Sequence, residues 1–104
     1  MTILEFVNVL LTCCDNVYHD EANKEKSEYI VWHEAYYQGY HADNVRIEEP
    51  KFIAVDLITK NEFTEIPDKL RAAFAENDIP YRGPDIVYHA DVEYRQYAYT
   101  CEVL

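Results

Sequence analysis

The chain opens with apolar residues at helical spacing. Ile3, Phe6, Val7, Leu10 and Leu11 recur every three or four positions behind Thr2, and Glu5 stands three residues after that threonine, as a capping box requires. The pattern predicts a helix over residues 2–13 with one apolar stripe turned inward. Beyond it the period falls to two. NVYHDE (16–21) fits a strand, ANKEKS a charged turn, and EYIVWH a strand filled by β-branched and aromatic side chains. Ser27 as an N-cap and Gly39 as a stop also accommodate a helix across 28–39, with Tyr29, Trp32, Tyr36 and Tyr40 on one side. The abundance of Tyr, Val, Ile and Trp, where a helix would favour Leu, Ala and Lys, favours strand.

KFIAVDLITK alternates cleanly, with Ile53, Val55 and Leu57 on one face and Asp56 on the other. NEFTEI is expected to turn it into a short partner strand. Pro67 suits the first turn of a second helix, in which PDKLRAAFAEN puts Leu70, Ala73 and Phe74 on a buried stripe. IPYRGP reads as punctuation. DIVYHADVEYRQYAYTCEVL holds two more strands, the last alternating Tyr97, Tyr99, Cys101 and Val103 onto one face. The expected fold is a single acidic α+β domain over residues 1–104, an antiparallel sheet of about 4–6 strands with two α-helices packed on one side.

Charge changes the picture more than composition does. Twenty Asp and Glu against nine Lys and Arg give a net charge of −11, with ten acids in residues 1–51 and ten in 52–104. The acidity therefore belongs to the folded surface and not to a tail. Such a chain is repelled by nucleic acid and by anionic membranes and is drawn to basic partners. No run approaches the roughly 18 apolar residues of a membrane span. The N-terminal apolar run has no basic stretch ahead of it and carries Glu5, so a signal peptide is not expected. Three cysteines, Cys13, Cys14 and Cys101, are an odd number with two adjacent, which points to a reducing, cytoplasmic setting.

Three of the four histidines follow a tyrosine and precede an acid nearby, in NVYHDE, GYHADNV (39–45) and IVYHADVEY (86–94). The fourth, His33, lies in VWHEA. A metal-binding module or metal-dependent enzyme would draw on His33, His41 and His89 with Asp43 or Asp91, and the two YHAD segments would bring ligands together if they paired as neighbouring strands. Yet His33 and His41 lie eight residues apart, unlike the two histidines of HExxH, and there is no CxxC. Tyrosine and histidine both suit half-buried strands with polar tips, so sheet chemistry accounts for the pattern without an active site. Other chemistry is sparse. Ser27 is the sole serine and lacks a GxSxG setting, Glu48 and Glu49 point to opposite faces on a strand, and two glycines build no phosphate loop. No cofactor and no enzymatic activity are expected.

An acidic, aromatic binding face is the better-supported reading. Residues 15–49 carry nine acids against Lys24, Lys26 and Arg46. The contacts expected are Asp20, Glu21, Glu25, Glu28, Glu34, Asp43, Glu48 and Glu49, with Tyr36, Tyr37 and Tyr40 as anchors. Carboxylates two residues apart on a strand sit about 6.6 Å from each other, close to the spacing of successive phosphates, so such a face fits a groove built for nucleic acid. In size, charge and lack of catalytic motifs, the whole chain resembles the small inhibitors carried by phages and mobile elements, anti-CRISPR proteins and other DNA mimics among them. That resemblance implies a basic nucleic-acid-binding partner, such as a nuclease effector, whose engagement of DNA or guide RNA is blocked. The charge itself argues against direct nucleic-acid or membrane contact. A third alternative is a self-associating structural or assembly protein, a homodimer through an exposed edge strand and its tyrosines.

Overall fold

The first helix starts where the capping box predicts. In the computed structural model, which describes residues 1–21, 26–35 and 51–103, the Thr2 hydroxyl accepts from the Glu5 N–H and the Glu5 carboxylate accepts from the Thr2 N–H, both at 3.1 Å. These bonds satisfy donors that a helix start leaves open, and the backbone bond from Thr2 holds the Glu5 carboxyl below its ordinary pKa. Helix α1 spans Ile3–Cys13 and buries Phe6, Val9, Leu10 and Cys13. Leu11, expected on the inward stripe, is instead 44% exposed. The helix is apolar around most of its circumference, so its pattern does not single out one face.

The remaining elements are β1 (Val17–His19), β2 (Glu28–Ala35), β3 (Lys51–Thr59), α2 (Ile66–Glu76), β4 (Tyr81–His89) and β5 (Tyr94–Val103). Among the described residues the strands form one five-stranded sheet in the order β1-β2-β3-β5-β4. The domain is α+β as expected, and residues 28–35 are strand. The sheet is mixed, however: β2–β3, β3–β5 and β4–β5 are antiparallel, while β1 runs parallel to β2, pairing Tyr18 with Val31.

Two segments depart from expectation. NEFTEI forms a turn and no strand, because side chains take the backbone groups that a ladder would use. Asn61 N–H donates to the Thr59 hydroxyl at 2.9 Å, and Phe63 N–H to the Asn61 side-chain oxygen at 3.0 Å. IPYRGP follows the end of α2 as expected but is more than punctuation, since it also starts β4. Tyr81 and Arg82 already pair with Cys101 and Thr100, and the register shifts between Arg82 and Asp85. Gly83 stands in that shift at φ 113°, and a Cβ there would meet the Ala98 carbonyl oxygen at 2.5 Å, so only glycine fits. The following proline, reached through a cis peptide, is tolerated because β4 is an edge strand.

The core forms where alternation meets the helices. Ile30 and Trp32 of β2 stand beside Leu57 and Val55 of β3, and Ile53 and Val55 beside Cys101 and Tyr99 of β5. Phe6, Leu10, Leu70 and Phe74 from α1 and α2 join the same cluster. The other face of the sheet carries a polar ladder. His89 Nε2 lies 2.8 Å from Gln96 Oε1, and Gln96 Nε2 donates to Asp56 at 3.3 Å. A carboxylate only accepts, so the amide nitrogen faces Asp56 and His89 Nε2 is the donor to Gln96.

Candidate functional site

Two of the expected contact acids, Asp20 and Glu34, meet one histidine at the parallel edge of the sheet. Pairing of His19 with Trp32 sets both side chains on the same face, and Glu34, two residues further along β2, shares it. The His19 ring stacks on the Trp32 indole with centroids 3.9 Å apart and planes 11° from parallel. This leaves Nε2 2.9 Å from a Glu34 carboxylate oxygen. Asp20, at φ 65° just past the end of β1, donates its N–H to the Trp32 carbonyl and brings its carboxylate within 3.5 Å of the same nitrogen. Each of the three side chains retains contact with water, at 46% for His19, 61% for Asp20 and 43% for Glu34.

The electrostatics follow from this geometry. The hydrogen bond to Glu34, reinforced by the charges of Asp20 and Glu34, raises the His19 pKa above its ordinary 6.5. The same bond lowers Glu34 below 4.5. One nitrogen and two carboxylate oxygens lie within 4.8 Å of one another. A divalent ion with ligands at about 2.1 Å needs ligand–ligand edges of roughly 3.0 to 3.4 Å; the two edges at His19 are 2.9 and 3.5 Å. The cluster can therefore do two things: present negative charge to a basic side chain, or close around a cation once His19 gives up its proton.

The other expected residues divide into groups. Glu21 follows the cluster, exposed, with its N–H donated to the His19 carbonyl at 2.7 Å. Glu28 lies at the opposite end of β2, roughly 20 Å from Glu34 along the strand, and its carboxylate accepts from the fully buried Thr59 hydroxyl at 2.8 Å. Glu28 thus has an intramolecular duty as well. Glu25, Tyr36, Tyr37, Tyr40, Asp43, Glu48 and Glu49 lie outside the described residues.

The histidine constellation drawn from the sequence is not assembled as such. His33 pairs with Ala54, which pairs with Thr100, while His89 pairs with Tyr94 at the far end of β5. Two strands and six residues of β5 separate them, roughly 20 Å or more. His41 and Asp43 lie outside the described residues. The histidine that does meet two acids is His19, which sequence reasoning left out of the metal set. Its neighbour Asp20 was visible in the YHD word, but Glu34 reaches it only through the parallel β1–β2 pairing.

Apart from this cluster, an open cleft of about 610 Å³ lies beyond the end of α1 and includes Cys13, Cys14, Asp15, Glu28, Glu65 and Lys69 in its wall. Burial raises the pKa of both thiols and pushes Cys101 up to about 12, so none of the three is held as a thiolate at neutral pH. Comparison with protein-family models, with curated proteins and with solved structures finds no match, so the functional reading rests on the chemistry of the chain itself.

Proposed function

We propose that this chain is a small acidic binding protein that seats on a basic, nucleic-acid-handling effector and blocks its groove, in the manner of anti-CRISPR proteins and DNA mimics. The observation that carries the reading is a net charge of −11 joined to the exposed carboxylates of Asp20 and Glu34 at one edge of the sheet, with exposed Glu21 next in the chain. Charge-assisted hydrogen bonds from arginine and lysine would be its main contacts, and their strength would fall with added salt. The test is capture from the lysate of a bacterium carrying CRISPR and restriction systems, with washes at low and high salt. The expected product is a basic nuclease, released by salt and inhibited in a cleavage assay by the purified chain. Capture of no basic protein at either salt would end the reading and leave the acidity to solubility.

The geometry of His19, Asp20 and Glu34 favours a second reading, a divalent-cation site. Tag-free protein titrated with Zn²⁺ in a calorimeter would bind close to one equivalent, and His19→Ala would abolish the binding. Equal binding by the variant, or none by the parent, would rule this site out.

A further inference from the structure

The last strand of the sheet order is apolar where an edge should be guarded. β4 pairs with β5 on one side and, among the described residues, with no strand on the other. Residues 82–88 are exposed on both faces, including Ile86 at 59%, Val87 at 49% and Tyr88 at 57%. Edge strands are normally blunted by proline, lysine, a bulge or short length. Here the blunting is confined to the first half, where the register shifts around Gly83 and Pro84. From Asp85 to His89 the strand pairs regularly with β5 and contains neither proline nor lysine.

We infer that this half-strand pairs antiparallel with the same half-strand of a second copy, about a two-fold axis at Val87, joining two five-stranded sheets into one. The register follows from the sequence of the strand. Directly opposed residues on antiparallel strands share a face, so the axis must pass through a residue position. Centring on Ile86 would draw Gly83 and Pro84 into the ladder. Centring on Tyr88 would set Asp85 against Asp91 of the partner subunit. Centring on Val87 avoids both. It places Val87 against the partner's Val87 and Ile86 against the partner's Tyr88, an aliphatic–aromatic pair of the kind that stabilises sheets. It also places Asp85 against His89 of the partner subunit, twice by symmetry.

That pairing is prepared within one copy. Asp85, Val87 and His89 share the face on which β5 presents Ala98, Gln96 and Tyr94. His89 is held on that face by its Nε2, which donates to Gln96. The surface pairs with itself residue by residue, as an isologous interface must. It is also distinct from the acidic edge at β1 and β2, since β3 and β5 lie between them in the sheet order. Two copies of charge −11 repel, so salt should strengthen this association, opposite to its effect on a basic partner.

The experiment is sedimentation over a concentration series, with three variants of the full chain. The parent should shift from 12.3 kDa toward twice that mass as concentration rises, more readily at higher salt. Val87→Lys sets two cations face to face on the axis and should remain monomeric, with a circular dichroism spectrum like the parent's because the position is exposed. Under mild oxidation Val87→Cys should form a covalent dimer, the two introduced thiols lying opposite each other. Asp85→Cys should not, since its thiols would sit about 13 Å apart across four strand residues. A parent that stays monomeric throughout, a Val87→Lys variant that still dimerises, or cross-linking of Asp85→Cys as fast as Val87→Cys would each overturn the proposal.

Discussion

The imidazole of His19 lies flat on the indole of Trp32, ring centroids 3.9 Å apart, and its Nε2 sits 2.9 Å from Glu34. Trp32 is the only tryptophan of the chain, so all tryptophan emission comes from the indole on which that imidazole stacks. A protonated imidazole quenches a stacked indole. Emission should therefore rise as His19 loses its proton, with a midpoint above 6.5, because the bond to Glu34 raises its pKa. Glu34→Gln should bring the midpoint down. A fluorescence titration of the two proteins checks both statements, and identical midpoints would remove Glu34 as the cause.

The same pair predicts how stability varies with pH. His19 has a folded pKa above its ordinary 6.5, so its contribution is complete below 6.5 and is lost as pH rises through the folded value. Glu34 has a folded pKa below 4.5, so its contribution is complete above 4.5 and is lost as pH falls through the folded value. Both are present together between 4.5 and 6.5. The Tm difference between the parent and Glu34→Gln should be largest in that window and close on either side. A difference that stays flat from pH 4 to 9 would show that the pair contributes no linkage.

Burial distinguishes the central strand from the edge. Leu57 is fully buried on β3, between β2 and β5, so Leu57→Ala should cost about 2–5 kcal/mol in urea unfolding. Ile86 reads as equally apolar in the sequence but is 59% exposed. At concentrations where the chain is monomeric, Ile86→Ala should change stability by less than about 0.5 kcal/mol. Equal losses would mean that β4 is covered. Gly83→Ala is a third probe, in the same strand as Ile86. With φ at 113° and the Ala98 carbonyl oxygen 2.5 Å from the new methyl, it should cost on the order of 1–3 kcal/mol.

How much of this was legible in the sequence depended on whether a feature was local. The capping box of Thr2 and Glu5, the alternation of Ile53, Val55 and Leu57, Pro67 in the first turn of α2 and the inward run Tyr99, Cys101 and Val103 each follow from neighbouring residues, and each was readable. The face of α1 was not, because a helix with apolar residues on nearly every side takes its orientation from its neighbours. The direction of β1 was not either. A charged turn between two short strands suggests a hairpin, and in a hairpin His19 would lie far from Glu34 instead of beside it. The exposure of Ile86 and Val87 was hidden for a related reason: an apolar pair in a strand looks the same whether or not anything covers it. The acidic character of the site was legible from composition alone, but the residue around which its carboxylates gather was not.

Glu28 and Glu21 separate folding from binding among the expected contact acids. Thr59 is a buried polar residue with no exposed surface, and its hydroxyl donates to Glu28 while accepting from Asn61 N–H. Glu28→Ala removes that acceptor and leaves the hydroxyl proton without a partner, a loss of about 1–3 kcal/mol. Glu28→Gln keeps an acceptor oxygen and should recover much of it. Glu21 is exposed and uses only its backbone N–H, so Glu21→Lys should shift stability by less than about 0.5 kcal/mol. Affinity for a basic partner should rank the two positions the other way. Reversing Glu21 together with Glu25, Glu48 and Glu49 should weaken binding at low salt and flatten its salt dependence, with the melting curve unmoved. Binding measured at two ionic strengths beside a urea titration reads both quantities, and unchanged affinity in the fourfold variant would show that the partner does not use these acids.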